Sequence, residues 1–136
     1  MNLVQKLLKV DKDEFGKKKL KKIKSKVLSE IMGEEAVITI QSVSPKEILE
    51  ISETGMDDEG EVIIGKTLDT SSLVVAAAVV DPPLKDEELM KHLGVATPAD
   101  AALKLFKGEV NTIATKVNQM AGFGLEVEEV DEEIKN

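Results

Sequence analysis

Chemistry needs reactive side chains within reach of one another, and this chain holds few. It has one histidine, His92, and no cysteine, so thiolate nucleophiles, thiolate metal sites and disulfides are excluded. A nucleophilic triad or a zinc site would surround His92 with a base, an orienting acid or further ligands at set spacing. It lies instead in Leu89-Met90-Lys91-His92-Leu93, with no such frame. The stretch Asp57-Asp58-Glu59-Gly60 invites a calcium-loop reading. Placing Gly60 at the sixth loop position puts Gly55 at the first and Lys66 at the twelfth, where that loop needs carboxylates. The register fails, and a solvated acidic turn remains. The acid pairs Glu34-Glu35 and Glu87-Glu88 fall in a turn and at a helix start, where carboxylates have structural reasons to be. Gly122 and Gly124 flank Phe123 without either phosphate-loop pattern. The residues therefore predict no catalytic group, no cofactor and no metal.

The run Lys17-Lys18-Lys19-Leu20-Lys21-Lys22-Ile23-Lys24-Ser25-Lys26 is the one other candidate, since clustered lysines bind phosphate backbones by releasing counterions. A small regulatory or nucleic-acid-binding protein using Lys17 to Lys26 is the alternative reading. Against it stand a net charge of −8, the absence of arginine among the 18 cationic residues, and aromatics confined to Phe15, Phe106 and Phe123. Bidentate phosphate clamps and stacking platforms are both missing. The charge is also lopsided: residues 1–30 carry 10 lysines against 4 acids, and residues 31–136 carry 8 against 22.

The elements that would position these side chains follow from periodicity. Asn2 is placed to cap a short helix carrying Leu3, Val4, Leu7, Leu8 and Val10, an amphipathic or docking arm. From Lys17 to Met32, Leu20, Ile23, Val27, Leu28 and Ile31 keep helical spacing, with Gly33 as the stop. Lysine repulsion opposes a helix in the first half, Lys17 to Lys24, which leaves an edge strand open there. Ala36 to Val43 alternates and is rich in β-branched residues, so a strand is predicted. Ser44, Pro45 and Glu47 form a capping box for a helix ending near Gly55, with Val43 and Ile48 as a hydrophobic staple. Glu61 to Ile64 is a short strand candidate that could pair with Ala36 to Val43. A buried helix bearing Leu68, Ser72, Val75 and Val79 is expected to end at Asp81-Pro82-Pro83. Short helices then follow on Leu89, Met90 and Leu93, closed by Gly94, and from Thr97-Pro98 to Phe106. After Gly108, Val110, Ile113, Ala114, Val117, Met120 and Ala121 mark one face of the clearest amphipathic helix.

A chain of 136 residues suits one domain. The fold class expected is α+β: a mainly helical single domain over residues 1–124, with a two- or three-stranded sheet near its N-terminal half. Residues 1–16 form an arm or helix of that domain, and residues 125–136 an acidic flexible tail. The longest apolar run, Leu73 to Val80, has eight residues, where a membrane-spanning helix needs about 20. No membrane association is expected, and no leader pattern opens the chain, so the cytoplasm is the expected location.

The order of segments is more specific. Asn2-Leu3-Val4-Gln5-Lys6-Leu7-Leu8, the strand-to-helix unit from Gly33 to Glu53, and Val79-Val80-Asp81-Pro82-Pro83-Leu84-Lys85-Asp86-Glu87-Glu88-Leu89-Met90 followed by Gly94-Val95-Ala96-Thr97-Pro98 resemble the XkdN-like family of phage tail assembly chaperones. The likeness continues through Leu103, Leu105, Gly108 and Glu109 to Gly122, leaving Met56 to Lys66 and the residues after Gly124 unplaced. It implies a non-enzymatic protein of a phage or prophage-like element, acting in the host cytoplasm while the tail is built. The partner it implies is the tape measure protein, kept soluble until tail tube subunits polymerise around it; tube subunits and further copies of the chain are additional expected partners. The resemblance also favours a strand near Lys19 to Ile23 over a helix.

A protein that holds apolar helices in solution needs a face accepting side chains at i, i+3 and i+4, with adaptable residues such as methionine. The candidate partner-binding residues are Leu89, Met90 and Leu93 on one helix and Val110, Ile113, Val117 and Met120 on another. The competing reading is that both stripes form the domain's own core.

Overall fold

Local stop and start signals divide the chain into short elements. The computed structural model describes residues 1–131. In order these are α1 (Leu3–Leu8), α2 (Lys12–Gly16), β1 (Leu20–Lys24), α3 (Lys26–Met32), β2 (Val37–Gln41), α4 (Pro45–Glu53), a 3-10 turn (Ile64–Lys66), α5 (Thr67–Ala78), β3 (Val79–Asp81), α6 (Glu87–Leu93), α7 (Pro98–Phe106) and α8 (Glu109–Met120). Six helices begin on a side-chain cap: Asn2 and Asp11 open α1 and α2, and Ser25, Ser44, Asp86 and Thr97 each accept a hydrogen bond from the backbone N–H three residues on, at 3.0, 3.2, 2.9 and 3.1 Å. Pro45 and Pro98 occupy the first helical turn, where a missing N–H costs nothing. Gly33 and Gly94 end α3 and α6 with φ of 72° and 71°, the left-handed conformation that only glycine adopts without strain.

The stretch Lys17 to Met32 resolves into two elements. Leu20 to Lys24 is extended, and the helix begins only after Ser25. Extended backbone throws successive lysines to opposite faces and separates like charges that a helix would stack at i, i+4. β1 pairs antiparallel with β2, Ile23 opposite Ile38 and Lys21 opposite Ile40. β3 flanks β2 on the other side, with a register irregularity between Thr39 and Ile40.

Two expectations are corrected here. Glu61 to Ile64 does not join β2, whose two edges are already taken by β1 and β3; it makes an isolated bridge, Met56 to Val62, and then turns into the 3-10 segment. The α5 helix stops at Ala78 rather than Asp81. Val79 and Val80 are β-branched and exchange helical backbone for the third strand, so that run serves two elements.

This α+β domain packs α5 against α7 and α8, and residues of β2 and β3 join the same core. Ala78, Ala101, Ala102 and Ala114 are buried at helix contacts, and their small side chains let the helix axes come close. Ile38 and Ile40 from β2, Val75 from α5, Phe106 from α7 and Val110 and Val117 from α8 fill the space between. Ile48 and Val43 are both buried beside the cap of α4, as the staple requires. Leu68, expected to share the buried face of α5, is exposed, and the helix buries Val74 on an adjoining face besides Ser72 and Val75.

Candidate functional site

The seven candidate partner-binding residues separate by burial. Val110 and Val117 are fully buried and Ile113 nearly so, facing α5 and the rest of the core. That stripe is the domain's own interior, because a 12-residue helix bridging α5 and α7 has no other apolar face to give. Met120, at the last turn of α8, is half-buried, as are Leu89, Met90 and Leu93 on α6. These four pack one side against the core and present the other to solvent.

A more fully uncovered apolar stripe lies elsewhere. In α1, Leu3, Val4, Leu7 and Leu8 are 70, 63, 45 and 79% exposed, and no residue of α1 or α2 is buried. A six-residue helix is marginal in water, yet this one is closed by a reciprocal cap: Gln5 N–H donates to Asn2 Oδ1 and Asn2 N–H donates to Gln5 Oε1, both at 2.9 Å. The sequence therefore specifies the helix without supplying anything on the domain to cover it. The signal was visible in the first ten residues, where an apolar stripe and a cap appear together. Exposure itself depends on what the rest of the chain leaves unpaired.

The lysine run lies along the outer strand. Lys21, Lys22 and Lys24 are exposed on β1, and among the described residues the one ion pair within 4 Å joins Lys17 to Glu14, at 3.8 Å. The positive strip is thus almost wholly hydrated. His92 is exposed in the last turn of α6, where a side chain of that type faces the negative helix end. Among the described residues no three His, Asp or Glu side chains gather in a metal-binding group, and no helix is long and apolar enough to cross a membrane.

One part-buried polar cluster was not legible in the sequence. Ser25, 1% exposed, sits between β1 and α3 and donates its hydroxyl hydrogen to Glu109 Oε1, while Glu109 Oε2 accepts from the backbone N–H of Lys26 at 2.9 Å and of Val27 at 3.3 Å. The cluster joins the first residue of α8 to the start of α3 and so ties the edge of the sheet to the helical layer. Its groups satisfy one another, which marks it as structural.

Residues 4–135 match the family model of the phage XkdN-like tail assembly chaperone protein. A solved structure described as the crystal structure of the protein yqbn shares the fold, with a TM-score of 0.52 over 76% of this chain and 87% of that one, at 14% identity. No curated protein matches the sequence.

Proposed function

Because the chain belongs to the XkdN-like phage tail assembly chaperone family, we propose that it binds the tape measure protein during tail morphogenesis and keeps it soluble, without enzymatic activity, in the host cytoplasm. The carrying observation is the bare apolar face of α1, with Leu3, Val4, Leu7 and Leu8 unburied on a helix that is firmly capped. A helix of this kind adds its stripe to a partner's apolar helix face by the same i, i+3, i+4 matching that builds coiled contacts.

The half-buried Leu89, Met90 and Leu93 of α6, with Met120, form the second contact in this reading. Methionine adapts to irregular apolar surfaces, which suits a holder of a long and varied client. Val110, Ile113 and Val117 belong to the core and do not touch the client. Tail tube subunits are a secondary partner, meeting the complex when they displace the chaperone, and self-association through the arm is a competing use of the same face. A net charge of −8 keeps such a complex soluble.

Co-expression with full-length tape measure protein tests the reading. The tape measure protein moves from the insoluble to the soluble fraction and the two co-purify. Unchanged solubility, with no complex at micromolar concentration, defeats the proposal.

A further inference from the structure

The sheet ends on an open edge. β1 is the outer strand of the order β1-β2-β3, and an antiparallel ladder uses the backbone groups of alternate residues on each side. Lys19 N–H donates to Ser42 Oγ at 2.9 Å and Ser25 N–H donates to the Ala36 carbonyl at 3.0 Å, so residues of that parity face β2. The amides and carbonyls of Leu20, Lys22 and Lys24 therefore point outward. An uncovered edge of this kind is a template for one more strand, and here its rim is positive.

The residues after α8 have the complementary character. Leu125 to Asp131 contains Glu126, Glu128, Glu129 and Asp131 and leaves Val127 94% and Val130 83% exposed. The segment also starts in the right place. Met120 and Ala121, where α8 ends, line the same cleft as Lys17, Lys18 and Lys19, which lead into β1. From Gly124, the seven extended residues to Asp131 reach about 23 Å, and the five residues of β1 span about 17 Å.

We propose that Leu125–Asp131 closes onto the free edge of β1 within the same molecule, as a further strand held by the lysine rim. It begins beside the N-terminal end of β1 and so runs parallel to it. Its carboxylates neutralise lysines of β1 that have no ion-pair partner among the described residues, and its apolar residues leave water against Leu20 and the strand backbone. This internal occupant blunts an edge that would otherwise template aggregation and screens the lysine strip from polyanions. The contacts are exposed, so salt or a more acidic competitor displaces them.

Amide hydrogen exchange by NMR on the full-length protein tests this, comparing wild type with the variant E126Q/E128Q/E129Q/D131N. At low salt the amides of Leu20, Lys22 and Lys24 exchange about fivefold more slowly in wild type, and the difference vanishes near about 1 M salt. The amides of Lys21 and Ile23, inside the ladder, exchange alike in both proteins and report an intact sheet. A second variant, K22E/K24E, removes the protection of Leu20 in the same way. Equal exchange of the outward amides in wild type and the tail variant at low salt overturns the proposal. So does protection that grows with protein concentration, because the occupant is then the tail of another copy.

Discussion

Glu109 and Ser25, 84 residues apart, meet through a hydrogen bond from the serine hydroxyl to the glutamate carboxylate. The same carboxylate takes the first two free N–H groups of α3, Lys26 and Val27, while Ser25 Oγ takes that of Leu28 at 3.0 Å. One side chain from each of two distant elements thus satisfies the amide donors that a helix start leaves open, and the negative charge sits at the positive end of the α3 dipole.

Removing the carboxylate leaves the buried Ser25 hydroxyl and the part-buried Val27 amide short of an acceptor, while water can reach the amide of Lys26. Glu109→Ala is expected to lower the stability by about 1–3 kcal/mol, read as a shift of the urea midpoint at constant slope. Glu109→Gln keeps the shape but loses the charge and one acceptor, and falls between. Because the two side chains act as one unit, Ser25→Ala costs less in the Glu109→Ala background than alone. Additive losses would show that the two caps work independently.

The signals that the sequence displayed were local ones. Ser44-Pro45, Thr97-Pro98, Gly33 and Gly94 bound their helices because a cap or a left-handed residue acts within one turn. The Lys17 to Met32 stretch satisfied helical spacing and still split at Ser25, since spacing says nothing about the strand β2 that rewards the extended form. Val79 was placed on the buried face of a helix and is buried, but in β3. The partner of Ser25 was invisible because no pattern at short range points to residue 109. For the candidate site, an apolar stripe at 110, 113 and 117 and one at 3, 4, 7 and 8 read alike. Only the packing of α5 and α7 decides that the first is interior and the second bare.

Gly55 follows α4, and a Cβ there would lie 2.7 Å from Thr70 Cγ2 on α5. Thr70 has little freedom to yield, being β-branched and donating its hydroxyl to the Thr67 carbonyl at 3.1 Å. Gly55→Ala is expected to destabilise by about 1–3 kcal/mol through overpacking, and Thr70→Ser, which removes the obstructing methyl, restores part of the loss. Gly108→Ala, with nothing within 4 Å of its new Cβ, is expected to change stability by no more than about 0.5 kcal/mol. Thermal melts of the four proteins decide it; a neutral Gly55→Ala would mean α4 and α5 separate freely.

Burial also divides the two stripes once considered together. Ile113→Ala is expected to cost about 2–5 kcal/mol, the range for deleting a buried branched side chain. Leu93→Ala, half-buried on α6, costs less, because solvent already meets part of the side chain and no closed cavity forms. If both cost the same in urea unfolding, α6 is as interior as α8 and cannot serve as a contact surface.

The lysine strip makes its own prediction. The domain as a whole repels a polyanion, and only the first 30 residues oppose that repulsion. Binding of a nucleic-acid duplex at physiological salt should therefore be weak, measured by fluorescence anisotropy. Submicromolar affinity that falls steeply with salt would instead support the nucleic-acid reading.

The arm separates folding from function most cleanly. Leu3 and Leu7 are one helical turn apart on α1 and contribute nothing to the core, so Leu3→Ser with Leu7→Ser should leave the unfolding free energy within about 0.5 kcal/mol of wild type. The helix remains capped by Asn2 and Gln5, and circular dichroism should change little. What disappears is an apolar stripe, and with it the surface offered to an aggregation-prone helix. The variant is therefore expected to fold normally and yet fail to bring co-expressed tape measure protein into the soluble fraction. A variant that folds and holds the client as well as wild type would remove α1 from the contact and leave α6 and Met120 to carry it. A double variant that loses stability would show that the arm packs on the domain in solution, contrary to its bare face.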